Sequence, residues 1–281
     1  MVKIVFWVLL FGVLLQSGQT KNFEANLYER VQALVEPATL RTHKNLIKII
    51  FKDRSKFLRN GRIDSVKIAK ALKENGLLDL FFGKPTKVYI DFKTGGNALF
   101  FTKLINDVMR SLGYYRYLNL HASSSEEGFE RSIMINSEYA LDPVILSRVL
   151  EKIGCSITDI KRVDKSHWEY EIDISSAKLD VMSVNGSEKL TLRQSRSDYW
   201  LRLNDIDKIV LQSLRGNNWY PYVAFYDREL RLLKIFKKDV RTKKITFALP
   251  KDTVYIKISD IYQLANLRKG IKIISQGKGK K

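Results

Sequence analysis

"KVYIDFKTGGNALFFTKLINDVMRSLGY", residues 87–114, sets a glycine pair between an alternating run and an amphipathic run. Val88, Ile90 and Phe92 alternate with polar neighbours, the period-2 signature of a strand. From Asn97 to Leu112 apolar residues recur at helical spacing, and Gly113 is a helix-closing residue. Strand, glycine turn and helix is also how phosphate-binding loops are built. That pattern needs Lys and then Ser or Thr directly after its last glycine, and here Asn97-Ala98-Leu99 stands in that place. The dinucleotide pattern fails too, for want of a third glycine and a downstream ribose-binding acid. Gly95-Gly96 therefore reads as a corner, and neither a nucleotide nor any other cofactor is expected.

The same reading extends C-terminally. Tyr115, Tyr117 and the residues through Leu120 form a second strand, Ser123 to Gly128 is turn material, and Ile133 and Ile135 mark a third strand. Asp142-Pro143 has the cap and first-turn chemistry of a helix start, Gly154 ends that helix, and a strand follows through Ile157 and Ile160. The order β-α-β-β-α-β is the split arrangement of ferredoxin-like folds, expected here over residues 85–175. Within it, "HWEYEIDI" puts His167, Glu169, Glu171 and Asp173 on one strand face and Trp168, Tyr170, Ile172 and Ile174 on the other. Histidine and carboxylates are metal-ligand chemistry, but neighbours two apart on a strand diverge, and a half-buried strand with a wet face uses the same letters. No metal site is expected.

Residues 21–84 read as helical. A first helix from Asn22 to Val35 stops at Glu36-Pro37, and a second is expected from about Leu40 to Arg59, with Ile47, Ile50, Phe51, Phe57 and Leu58 on one stripe. A third, capped by Asp64 or Ser65, buries Val66, Ile68, Ala69 and Leu72 before Asn75-Gly76. Between Arg41 and Glu74 eleven Lys or Arg face three acids, which makes this the chain's candidate anionic-surface contact. On one continuous helix Lys48, Lys52, Lys56 and Arg59 would stand at successive turns. A solvated helix face accounts for the same residues without a ligand.

Residues 176–264 change to short runs separated by polar turns, the spacing of a β-sandwich with jelly-roll-like layout. In "GNNWYPYVAFYD", Trp219, Pro221, Val223 and Phe225 face one way and Tyr220, Tyr222 and Tyr226 the other. With Asn217 and Asn218 in the adjoining turn, this set (Asn217, Asn218, Trp219, Tyr220, Tyr222, Tyr226) is the candidate partner- or glycan-binding site. The competing reading covers the tyrosines with a neighbouring domain. From residue 265 to 281 a basic flexible tail is expected, with six Lys or Arg and no acid from Arg268 onward.

The N-terminus supplies an address. Lys3, the apolar run Ile4–Leu15 and the polar stretch to Thr20 have the layout of a secretory signal peptide over residues 1–20, cut after Ser17 or Thr20. The apolar run is shorter than the roughly 18 residues of a membrane span, so an uncleaved anchor is the lesser alternative. The net charge of the full chain is +19, to which the leader contributes only Lys3. On an exported protein that charge suits envelope proteins with acidic faces, lipid head groups, wall polymer or polysaccharide, rather than nucleic acid or nucleotide. A single cysteine, Cys155, permits no internal disulfide, which favours the bacterial periplasm over an animal extracellular space. There is no Gly-x-Ser-x-Gly elbow, and His43 and His121 have no ligand spacing. The expectation is an exported, non-enzymatic scaffold or adaptor contacting other envelope components; the alternative is a polysaccharide- or cell-wall-binding protein using the β-sandwich.

Overall fold

The computed structural model describes residues 26–126, 128–193 and 197–277. The expected leader and its cleavage positions, and residues 278–281 of the expected tail, lie outside the described residues. The fold is mixed α+β, with six helices among the described residues and a majority of strands gathered in several sheets. It divides between Ala177 and Lys178 into two units.

The first unit holds α1 (residues 26–32), α2 (Pro37–Thr42), α3 (Lys44–Ile50), β1 (Leu58–Arg59), β2 (Arg62–Ile63), α4 (Ser65–Glu74), β3 (Phe81–Thr94), α5 (Ala98–Ser111), β4 (Leu118–Ser125), β5 (Gly128–Tyr139), α6 (Pro143–Lys152), β6 (Ser156–Arg162) and β7 (His167–Asp173). Its main sheet runs β4-β5-β3-β7-β6, so β3, the strand that feeds the glycine corner, is central. Val88, Ile90, Phe92, Ile133, Ile135, Trp168, Tyr170 and Ile172 are buried together on one side. The helices reach that side: Arg131 on β5 donates to Asn106 of α5 at 2.7 Å, and the Tyr170 hydroxyl donates to the Leu141 carbonyl beside α6. The corner is tight for a steric reason. A Cβ on Gly96 would lie 2.6 Å from the Ile174 side chain, and the Gly96 N–H donates to Thr94 Oγ1 at 3.2 Å before Asn97 caps α5 through Phe100 N.

Three expectations need correction in this unit. After α6 the chain does not enter the sheet once; it runs out to the edge as β6 and returns as β7, which inserts beside β3 and parallel to it. The turn expected at Ser123–Gly128 is largely strand, because β4 and β5 stay paired as far as Ser125 and Gly128. The long helix from Leu40 to Arg59 is broken. α2 and α3 are separated at His43, α3 ends at Phe51, and a 3₁₀ turn over Arg54–Phe57 leads into the β1–β2 hairpin. Ser55 donates to Asp53 Oδ1 at 2.6 Å, and Phe51 and Phe57 meet with ring centroids 4.6 Å apart. The apolar stripe is buried by folding the chain back rather than by continuing the helix. Asn60 and Gly61, both at positive φ, turn that hairpin.

The second unit contains β8 (Met182–Asn185), β9 (Lys189–Leu192), β10 (Tyr199–Asn204), β11 (Ile206–Ser213), β12 (Pro221–Tyr226), β13 (Leu232–Lys237), β14 (Lys244–Ala248), β15 (Tyr255–Asp260) and β16 (Ile271–Gly277). They form two sheets, β13-β12-β15-β10-β8 and β14-β11-β16-β9. Leu201, Val223, Phe225, Ile256 and Ile258 from the first, with Trp219 just before β12, share one core with Ile209, Leu211, Ile271 and Ile273 from the second. The expected flexible tail is therefore wrong through Gly277. β16 pairs with β11 on one side and β9 on the other, and its alternate residues Ile271 and Ile273 are fully buried. Among the described residues, Lys272 occupies an outward position of the strand, with Lys269 and Gly270 just before it and Gly277 at its end. A chain ending at Gly270 should lose the cooperative unfolding of the second unit, read by tryptophan fluorescence in urea, because the sheet would lose an interior strand.

Candidate functional site

Burial decides which way β12 points its side chains. Trp219 before the strand, then Val223 and Phe225 within it, are completely buried, so Tyr222 and Tyr226 emerge on the outer face of the sheet. The register then brings other strands' outward residues beside them. Lys237 on β13 lies opposite Tyr222, Ser259 on β15 lies opposite Tyr222 on its other side, and Trp200 on β10 lies opposite Lys257 on β15. The result is a strip of rings and ammonium groups. Trp200 and Tyr226 have ring centroids 5.0 Å apart. Lys257 Nζ sits 5.9 Å from the Trp200 ring and 5.7 Å from the Tyr222 ring, and Lys237 Nζ sits 5.2 Å from the Tyr222 ring. Tyr222, Lys237, Asp239, Lys257 and Ser259 line a surface groove of about 610 Å³. At its end Tyr220 and Tyr262 meet edge to face at 5.2 Å, and the Tyr262 hydroxyl donates to Asp239.

Asp198 organises the centre of the strip. It pairs with Lys257 at 2.7 Å and accepts a hydrogen bond from the Ser259 hydroxyl. Burial pulls the Lys257 ammonium down, but its hydrogen bond and charge interaction with Asp198, joined by Tyr226 and Tyr222, outweigh burial and raise it above the ordinary lysine value. A raised cationic pKa means the pair stabilises the fold below the free lysine range and is lost only as pH rises through the folded value. Burial also raises the Tyr226 phenol, opposed by Lys257 and reinforced by Tyr222 and Asp198. At neutral pH Lys257 is thus a fixed cation and Tyr226 a neutral ring.

The six sequence candidates separate into two groups. Tyr220, Tyr222 and Tyr226 lie half-exposed at this face. Trp219 is core, its indole N–H donating to the Ser259 carbonyl at 2.8 Å. Asn217 is buried and structural: its Nδ2 donates to the Gly270 carbonyl at 2.7 Å and its Oδ1 accepts from Lys269 N at 2.8 Å, tying this turn to the start of β16. Asn218 is exposed, and its backbone N–H donates to the Asn266 carbonyl. Trp200, Lys237 and Lys257 were missed. Alternation in "YWLRLN" and "YIKISD" marks Trp200 and Lys257 as outward-facing, whereas "LLKIFK" does not alternate, and only pairing places all three beside the tyrosines.

The basic quartet of the first unit does not form one patch. Lys48 is exposed on α3, Lys52 is exposed in the turn after it, and Lys56 lies in the 3₁₀ turn 3.5 Å from Asp53. Arg59 is committed to Asp64 at 2.7 Å and Glu151 at 2.9 Å. In "HWEYEIDI" the two faces divide as the alternation requires, with Trp168, Tyr170 and Ile172 inside, while His167 bonds Asp91 at 2.6 Å on the outer side. Among the described residues no three His, Cys, Asp or Glu gather to hold a metal. Cys155 is buried, and burial, then the Asp173 charge, push its thiol up to about 12. The first unit also carries an apolar groove of about 540 Å³, in which Phe81, Tyr139 and Ile145 are each more than two-fifths exposed. No helix among the described residues is long and apolar enough to cross a membrane.

No protein-family model matches this chain, and no curated protein matches it significantly.

Two outcomes follow from these placements. Asn217→Ala should cost about 2 kcal/mol of stability, because it strands a buried N–H and carbonyl, while Asn218→Ala should stay within about 0.5 kcal/mol; denaturant midpoints distinguish them. Cys155 should resist a thiol reagent at pH 8 in the folded protein and react fully once urea unfolds it, since almost none of a thiol titrating near 12 is thiolate at pH 8.

Proposed function

We propose that the protein is an exported, non-enzymatic adaptor of the bacterial cell envelope whose second unit holds a polysaccharide on the outer face of sheet β13-β12-β15-β10-β8. The observation that carries this reading is the strip of Trp200, Tyr222 and Tyr226 with Lys257 and Lys237 among them. Ring faces take the C–H faces of sugars, while Asp198, Ser259 and Asp239 offer polar edges for hydroxyl groups. Protein contact is supported separately by the apolar groove at Phe81, Tyr139 and Ile145, since exposed apolar residues gathered in one place favour docking. We read the first unit as a ferredoxin-like arrangement widened by the inserted β7, and the second as a jelly-roll-like sandwich that offers one broad sheet face. The periplasmic address rests on the leader pattern of residues 1–20.

Pull-down on purified cell-wall polysaccharide tests the binding role. Trp200→Ala combined with Tyr222→Ala should weaken retention at least tenfold, about 1.4 kcal/mol, with the unfolding midpoint little changed; equal retention of wild type and variant would sink the reading. Fractionation tests the address: the mature protein should be released with the periplasm and begin at Gly18 or Lys21.

A further inference from the structure

Tyr222 is flanked by two ammonium groups from opposite sides. Lys237 reaches it from β13 and Lys257 from β15, with Nζ atoms 5.2 and 5.7 Å from the ring centroid. Their situations differ. Lys257 is paired with Asp198 at 2.7 Å, whereas no carboxylate among the described residues comes within ion-pair distance of Lys237. Two like charges on one ring repel, and of the nearby carboxylates only Asp198 is ion-paired with either of them; Asp260 is held by the Tyr220, Tyr262 and Gln263 N–H groups and Asn266. Asp239, which lines the same groove, is engaged by the Tyr262 hydroxyl. A ligand carrying an anionic oxygen at this point would complete the set, accepting from Lys237 and from the remaining protons of Lys257.

Around that point the surface is shaped for rings. Tyr222 and Tyr226 are four residues apart on one strand, a rise of roughly 13 Å, and Trp200 stands beside Tyr226. Tyr220 and Tyr262 extend the strip in the other direction. An open surface groove with rings along it suits an extended chain rather than a free small molecule, which needs an enclosed site to bury most of its surface.

We infer that the ligand of this face is an acidic polysaccharide, a chain of sugar rings bearing carboxylates, with a carboxylate seated between Lys237 and Lys257 over Tyr222. The inference rests on the polysaccharide reading and adds the substrate class. The bulk positive charge of the chain would draw in any polyanion, so the claim is the narrower one that Lys237 contributes far more than an average lysine.

The test uses the full chain with polygalacturonate and with the same polymer after chemical reduction of its carboxylates to hydroxymethyl groups, titrated at physiological salt. Wild type should bind the acidic polymer at least tenfold tighter than the reduced one. Lys237→Gln should abolish that preference while leaving affinity for the reduced polymer unchanged. Lys234→Gln, an exposed lysine of the same strand on its other face, should lower affinity less than twofold. Equal binding of both polymers, or equal losses from the two lysine variants, would overturn the acidic class while the polysaccharide reading stands. Binding of neither polymer by wild type would remove both. Polyglutamate bound as tightly as polygalacturonate would show that charge alone is recognised, and that also overturns the proposal. Lys237 is exposed, so loss of folding does not confound the variant.

Discussion

The outer face of the second unit depends on the inward burial of Trp219, Val223 and Phe225. Because successive side chains on a strand point to opposite faces, burying that set leaves Tyr222 and Tyr226 no choice but to point outward. A one-residue slip in register would bury the tyrosines and expose the core, at a cost summed over every large side chain in the strip. The indole N–H of Trp219 pins this choice by reaching the Ser259 carbonyl on the neighbouring strand. Asn217 secures the preceding turn by bonding both Lys269 and Gly270 at the approach to β16. The residues that make the surface interesting are thus held by residues that never reach it.

Electrostatics is local in this protein despite its large net charge. The chain carries 49 Lys or Arg against 30 Asp or Glu, yet many of its cations are tied to nearby acids. Arg59 bridges Asp64, which caps α4, and Glu151 on α6; Lys73 pairs with Asp142, which caps α6; Lys93 bridges Glu130 and Glu169 across three strands. For Lys93 burial acts against the cation, but Glu169 and then Glu130 raise it above its usual value. Such exposed pairs add little stability each, and they hold cap residues and strands in one arrangement. The Tyr222 neighbourhood stands out against this background because it brings two lysines to one ring, of which only Lys257 is ion-paired with an acid.

The edges of the first unit's sheet are treated differently. β6 is covered at one end, where the Arg162 N–H donates to the Ala33 carbonyl after α1, Arg162 pairs with Glu36, and Arg30 pairs with Asp159. At the opposite edge β4 is exposed along its whole length but carries an irregularity between Asn119 and His121, which interrupts the ladder. A bulge there is one of the ways a sheet resists pairing with another chain.

Local signals were read correctly from sequence wherever the decisive contact lies within a few residues. The Asp64 and Asp142 caps, the Gly95-Gly96 corner, the short strands between residues 176 and 264 and the inside–outside alternation of residues 167–174 and 219–226 all belong to this class, because side-chain period and cap chemistry depend on neighbours in the chain. What sequence could not fix was set by contacts that leave no periodic signal, most of them with partners far along the chain. Ile271–Gly277 has an ordinary basic composition and becomes an interior strand only because β9 and β11 lie on either side of it. The stretch after Ile50 has enough helical periodicity to pass for a helix, and leaves that path because Phe51 and Phe57 bury each other in a folded-back turn. Trp200 and Lys257, some 57 positions apart, meet only through the β10–β15 register. Sequence determined the periodic elements of the sheets and which face of each is apolar, since those follow from the chain's own periodicity. The tertiary structure decided which rings and charges share a surface, since strand pairing joins residues whose separation leaves no mark in the local pattern.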